Sequence, residues 1–134
     1  MKGIIVLAGL LAASLLTACS HNSNPAAVDG YQTITADEAK EKMDTMDVMV
    51  VDVRTAEEYA GGHIKDALLI PNESIENEPP AELQDKDAVI LVYCRTGRRS
   101  AMAAEKLNSL GYTAVFDFGG ISGWPYEVVT EEDK

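Results

Sequence analysis

Short apolar runs alternate with amphipathic stretches over most of the chain, beginning at about Tyr31. The continuous apolar run Ala88–Tyr93 predicts the strongest strand, while Val48–Val51 and Leu68–Ile70 predict shorter ones. Runs rich in branched apolar residues, without polar alternation, are typical of strands buried on both faces of a sheet. A final strand is expected over Tyr112–Phe116.

Helix signals separate these strands. Two capping boxes, Thr35–Glu38 and Thr55–Glu58, predict helix starts, because their side chains satisfy backbone N–H groups that the first turn leaves free. The first helix is expected to run to about Met43, and Gly61–Gly62 is expected to stop the second.

A third helix is expected from Arg99 or Ser100 to Leu110, with Gly111 as the residue after its cap. The residues predicted to face inward from it are Ala101, Ala104, Leu107 and Leu110. The alternation of strands and helices predicts an α/β fold, with a small central parallel sheet and helices on both faces.

Two segments are predicted to be connections. Asn72–Asp87 is acidic and contains two adjacent prolines, so it is expected to cross the surface. Gly119–Gly120 is expected to make a turn before Trp124, which we expect to be a packing residue.

The N-terminus is typical of an exported protein. Ile4–Leu16 is apolar but too short to cross a bilayer, which takes about 20 residues, so it fits a secretory signal peptide. It ends in Leu16-Thr17-Ala18-Cys19, which resembles the lipobox of bacterial lipoproteins. The resemblance implies that residues 1–18 are removed and that Cys19 is lipidated. The alternative is an ordinary signal peptide with an incidental cysteine.

The lipobox implies a layout for the rest of the chain. Residues 19–30 are polar and small and are expected to form a flexible tether. Residues 31–130 are expected to form one folded domain, followed by an acidic tail at 131–134. We expect an exported protein held by lipid on the periplasmic face of a bacterial membrane. If the source is Gram-negative, Ser20 in place of aspartate favours the outer membrane.

Composition excludes some classes of partner. The 134 residues include 11 lysines and arginines against 22 aspartates and glutamates, a net charge of −11. That balance argues against nucleic acid and against polybasic docking on lipid, because both need clustered cations. We expect no metal site, because Cys94, His21 and His63 show no ligand spacing. We also expect a monomer.

Cys94 is the candidate nucleophile. It ends a predicted buried strand, and a polar loop leads from it directly into a helix. Ligands of open α/β sheets bind beyond the carboxyl ends of the strands. Backbone N–H groups of such a loop, together with the helix N-terminus, favour the reactive thiolate over the thiol. The alternative is a cysteine that packs as a small apolar residue.

The loop is basic, although the chain is acidic. Thr96 and Gly97 lie among three cations and no acid, and these cations are Arg95, Arg98 and Arg99. Arginine is electrostatically unfavourable at a helix N-terminus, so a solvated helix end explains the cluster poorly. The arginines therefore indicate an anionic substrate or intermediate, and Gly97 supplies the backbone freedom that a tight loop needs.

Short motifs follow one another along the chain from about Tyr31 to Val128. The first half carries Asp52-Val53-Arg54, Glu58-Tyr59, Gly62-His63-Ile64 and Ile70-Pro71. The second half carries Val92-Tyr93-Cys94-Arg95-Thr96-Gly97, Gly119-Gly120-Ile121 and Trp124. Taken together, these motifs resemble the rhodanese (sulfurtransferase) domain family, and their order and spacing make the resemblance specific. Small exported single-domain rhodaneses are the type that the chain most resembles.

The resemblance implies sulfur transfer without a cofactor. Cys94 would take the outer sulfur of a small anionic donor such as thiosulfate, and the persulfide would pass it to cyanide or a thiol. Backbone N–H groups over 95–99 would stabilise the sulfur anions. Arg99 is expected to hold the departing anion, with Arg95 as the second choice. Asp52 and Arg54 are expected to tie the framework rather than to act in catalysis.

Two alternatives concern His63 and the reaction class. His63 is expected to be structural, although a protease-like Cys/His dyad stays open. Phosphatases and arsenate reductases of this fold place arginine six positions after the cysteine. This chain has Ser100 at that position and its arginine, Arg99, one residue earlier, which argues against that reaction class. A membrane-anchored persulfide carrier with little turnover and an inactive lipoprotein scaffold are the remaining alternatives.

Overall fold

The computed structural model describes residues 30–133. The predicted signal peptide, the lipidation site Cys19 and the tether up to residue 29 lie outside the described residues. The strands are β1 (Gln32–Thr33), β2 (Met49–Asp52), β3 (His63–Ile64), β4 (Leu68–Leu69), β5 (Val89–Cys94), β6 (Ala114–Gly120) and β7 (Val128–Val129). The helices are α1 (Ala36–Thr45), α2 (Ala56–Ala60) and α3 (Arg98–Ser109), and short 3-10 turns cover Asn72–Ser74, Ile121–Gly123 and Glu131–Asp133.

Five strands form a parallel sheet in the order β1-β6-β5-β2-β4. Side chains alternate across central β5, so Ile90 and Val92 face α3 while Leu91 and Tyr93 face α1 and α2. All four are fully buried. The predicted α/β class, with a parallel sheet covered on both faces, is therefore confirmed.

The helices begin close to where the sequence predicts. Both capping boxes form, and in each the threonine hydroxyl accepts a hydrogen bond from the glutamate N–H at 3.2 Å. The first helix extends to Thr45, slightly beyond the predicted Met43, and the third begins at Arg98, one residue early. On that third helix, Ala104 and Leu107 are buried as predicted, whereas Ala101 and Leu110 are only partly buried.

The last strand of the sheet is displaced from its predicted position. It covers Ala114–Gly120 instead of Tyr112–Phe116. Tyr112 packs in the core before the strand, and its hydroxyl donates to the Leu83 carbonyl at 2.6 Å. The predicted turn at Gly119–Gly120 is also wrong, because the glycines form the end of this strand.

The prediction of a surface connection over Asn72–Asp87 is only partly right. Ile75 and Leu83 are buried against the α3 face of the sheet, because the connection folds back across it. Lys106 holds the start of the connection by donating to the carbonyl of Asn72 at 2.9 Å.

A second sheet of two strands pairs β3 with β7. The antiparallel pair β3–β7 was not predicted, since strands of two residues carry no hydrophobic period. Across residues 30–133, no helix has the length and apolar character needed to cross a membrane.

Candidate active site

Cys94 is the last residue of β5 and is 1% exposed. The pairing of β5 with β6 shifts register between Val92 and Cys94, so an irregularity precedes the cysteine, which then pairs with Gly120. The chain then leaves the core at once, because Arg95 and Thr96 are exposed. The predicted nucleophile therefore lies at the base of a loop that opens to solvent.

The loop curls around the sulfur of Cys94. The backbone N–H of Gly97 donates to Sγ at 3.0 Å, and the hydroxyl oxygen of Ser100 lies 3.5 Å from Sγ. Burial alone would raise the pKa of the thiol. Hydrogen bonds from Ser100, Gly97 and Thr96 outweigh that effect, so the pKa of Cys94 falls below its ordinary value. The site therefore favours the nucleophilic thiolate.

Glycines permit this loop to close. Gly97 has φ of 106°, a left-handed conformation that a side chain would strain. At Gly120, a Cβ atom would lie 2.2 Å from the carbonyl oxygen of Arg95 and 2.6 Å from the Cα of Thr96. The end of β6 therefore packs directly against the loop backbone, a contact that the predicted turn at Gly119–Gly120 did not include.

The three loop arginines differ in their surroundings. Arg95 and Arg98 are exposed, whereas Arg99 forms a two-point ion pair with Glu58, at 2.7 and 3.0 Å. The hydrogen bonds from Arg99 lower the pKa of Glu58 to about 2. Glu58 also completes the capping box of α2, so one carboxylate links that helix to the loop.

A cavity of about 540 Å³ lies beside the loop. Its cationic lining comes from Arg95 and Arg54, and Glu57 and Glu58 add negative charge. Ile121, Trp124, Tyr126 and Val128 supply its apolar wall. The charges in this lining balance, and Cys94 is not among the lining residues, so the cavity lies beside the nucleophile and does not contain it.

Asp52 and Arg54 form a buried ion pair at the end of β2. The Nη2 of Arg54 donates to Asp52 at 2.7 Å and to the carbonyl of Gly62 at 2.7 Å. Burial lowers the pKa of Arg54, but the hydrogen bonds with Asp52 outweigh it and raise that pKa overall. The pair ties β2 to the turn before β3, which is a framework role.

His63 is buried and stacks on Tyr59, with ring centres 3.7 Å apart and an interplanar angle of 8°. Its Nδ1 lies 2.9 Å from the carbonyl oxygen of Tyr59, which can only accept, so Nδ1 carries the proton. This hydrogen bond of the His63 ring therefore goes to the backbone and not to Cys94.

Two other expectations concern Trp124 and metals. Trp124 packs between Phe118 and Tyr126, with ring centres 5.5 and 4.9 Å away. Within the part of the chain that the structure describes, no three histidine, cysteine, aspartate or glutamate side chains gather closely enough to hold a metal ion.

Comparison with known proteins assigns the class. The family model of the rhodanese-like domain matches residues 35–126. The chain belongs to the rhodanese-like domain family, which confirms the resemblance carried by its motifs.

Curated relatives are named as sulfurtransferases. The thiosulfate sulfurtransferase PspE of Escherichia coli (strain K12) is 37% identical over 71 residues, which cover 53% of this chain and 68% of PspE. A sulfurtransferase of Allochromatium vinosum is 44% identical over 82 residues, which cover 60% of this chain and 75% of that protein.

Solved structures share the fold. A rhodanese-like domain protein from Staphylococcus aureus is 38% identical, with a TM-score of 0.64, over 75% of this chain and 98% of that one. A structure described as a rhodanese with anions, from E. coli, is 32% identical, with a TM-score of 0.58, over 63% and 99% of the two chains.

Proposed function

We propose that this protein transfers a sulfane sulfur from a small anionic donor to a thiol or cyanide through a persulfide on Cys94. The observation that carries the proposal is the buried Sγ at the base of a loop that donates hydrogen bonds to it. Relatives named as sulfurtransferases, and one solved with anions, support the same chemistry.

In the first step, the thiolate of Cys94 attacks the outer sulfur of thiosulfate. A bond forms between the two sulfurs, the sulfur–sulfur bond of thiosulfate breaks, and sulfite leaves with the electron pair. The negative charge of the enzyme then lies on the outer sulfur of the persulfide. The N–H groups of the loop and the N-terminus of α3 stabilise that charge.

In the second step, cyanide or a thiolate attacks the outer sulfur. The persulfide bond breaks, its electron pair returns to Sγ of Cys94, and thiocyanate or a new persulfide leaves. This two-step exchange through a covalent intermediate is the general logic of nucleophilic catalysis.

Arg95 is the cation that we assign to the donor anion. It is exposed and lines the cavity beside the loop. Arg99, the first choice from the sequence, has its guanidinium neutralised by Glu58. Arg99 is therefore assigned to holding the loop against α2.

The experiment is thiosulfate:cyanide turnover by the purified domain, with Cys94→Ser as the variant. We expect thiocyanate from the wild type, none from the variant, and unchanged thermal unfolding. Thiosulfate alone should add about 32 Da to the wild type, the mass of one sulfur. An adduct with slow turnover to every acceptor would favour the carrier alternative. Phosphate release from an aryl phosphate without thiocyanate would overturn the proposal.

We also propose that the domain is held at a membrane by lipid on Cys19, on the support of the Leu-Thr-Ala-Cys motif. Cells fed labelled palmitate should incorporate it into the wild type and not into Cys19→Ser. Equal labelling of both would contradict the anchor.

A further inference from the structure

Ser100 is a polar residue of the site that the mechanism above does not use. It is fully buried in the first turns of α3, with no exposed surface. Its hydroxyl donates towards the carbonyls of Gly97 at 3.0 Å and Gly119 at 3.3 Å, and its oxygen accepts from the Cys94 thiol at 3.5 Å. Once Cys94 loses its proton, Sγ can only accept, and it becomes a third acceptor within reach of the Ser100 hydroxyl. A hydroxyl has one proton, so it serves one acceptor at a time.

The charge on Sγ determines which atom accepts the hydrogen bond from the Ser100 hydroxyl. Hydrogen bonds to an ionised acceptor are about twice as strong as neutral ones, so the thiolate outcompetes either carbonyl. In the persulfide the charge lies on the outer sulfur, and Sγ becomes a weak, neutral acceptor. The hydroxyl can then turn to Gly97 or Gly119 without leaving its proton unpaired.

We propose that Ser100 is a positioning residue whose hydroxyl donates to Cys94 as the thiolate and to a backbone carbonyl as the persulfide, thereby favouring release of sulfur. This inference rests on the proposed sulfur transfer. The electron pair returns to Sγ in the second step, so a donor aimed at Sγ improves Cys94 as a leaving group. The same donor holds the thiolate back as a nucleophile in the first step.

The test variant is Ser100→Ala, which removes the proton and one buried oxygen. Ser109→Ala is the matched control, because it makes the same change at an exposed position of the same helix. Ser100→Thr keeps a hydroxyl and should restore the wild-type behaviour. None of the three substitutions touches Arg99 or Glu58, so we expect their ion pair to be kept.

The first measurement needs no sulfur transfer. The rate of iodoacetamide alkylation of Cys94, followed against pH, gives the midpoint of thiol ionisation. Ser100→Ala should raise that midpoint by about one pH unit, since a hydrogen bond to a charged group is lost. Ser109→Ala should leave it unchanged. An unchanged midpoint in Ser100→Ala would overturn the inference.

The second measurement separates the two half-reactions, at a pH above both midpoints. Sulfite release from thiosulfate should become about threefold faster in Ser100→Ala, and thiocyanate release from the persulfide about threefold slower. A merely structural role would slow both steps, and that result would overturn the inference. If the wild type forms no persulfide, the proposed function fails, and the alkylation midpoint alone decides whether Ser100 supports the thiolate.

A measurement on the unaltered protein covers the case in which Ser100→Ala does not fold. Proton NMR of the buried Ser100 hydroxyl should show a shift between the reduced and persulfide forms, because its acceptor changes. An identical shift in both forms would contradict the proposal.

Discussion

The carboxyl ends of β2 and β5 lie side by side in the sheet, yet they differ in their polar chemistry. At the end of β2, Asp52 and Arg54 are buried, and each satisfies the other. At the end of β5, Cys94 receives hydrogen bonds from a loop whose outer residues face solvent. A strand end therefore becomes a reactive site when its donors stabilise a nucleophile, and a structural tie when a buried acid and base satisfy each other.

The comparison is tested most severely by Asp52→Ala. Removing one partner of a buried ion pair leaves an uncompensated charge, so the variant should lose about 3 to 5 kcal/mol of unfolding free energy. Asp47→Ala, at an exposed aspartate, is the matched control and should change stability little. Urea unfolding measures both. Equal stability of the two variants would remove the distinction between the strand ends.

Arg95→Ala tests the other side of the comparison. The variant should raise the KM for thiosulfate about tenfold without changing thermal unfolding, because a charge-assisted contact of roughly 1.5 kcal/mol is lost. Arg98→Ala is the control, since Arg98 is also exposed but does not line the cavity. Steady-state kinetics separate them. A larger KM effect in Arg98→Ala would reverse the assignment of the anion contact.

Glu58→Gln has the smallest expected effect. Glu58 connects the two regions, because it caps α2, which follows β2, and pairs with Arg99 in the segment after β5. The ion pair with Arg99 is partly exposed, so the variant should lose about 1 kcal/mol at pH 7. Because the pKa of Glu58 is lowered to about 2, this stabilisation is complete above the ordinary glutamate pKa of 4.5. The difference between wild type and variant should shrink as pH falls from 4.5 towards 2, as measured by urea unfolding. A difference independent of pH would contradict the ion pair.

The sequence was informative where one local signal decides the outcome. The capping boxes at Thr35 and Thr55 involve neighbours along the chain, so they form as predicted. Cys94 was likewise found from local order, since a strand, a polar loop and a helix follow each other directly.

The misses involve partners distant in the sequence. Gly120 meets Arg95 only because β6 lies beside β5, and Glu58 meets Arg99 only because α2 packs near the loop. The hydrophobic pattern along the chain carries no information about contacts between residues so far apart in the sequence. A serine three residues past Gly97 was a weak local signal for Ser100, because a short hydroxyl side chain in the first turn of a helix lies near the preceding loop.

The burial of Cys94 has a steric consequence for the proposed reaction. At 1% exposure, the bare sulfur is shielded from bulky electrophiles by the core around it. In the proposed persulfide, a second sulfur would extend the side chain by about 2 Å. That length would carry the transferable sulfur away from the residues that bury Sγ, so a large acceptor would need to reach only the outer atom of the proposed persulfide.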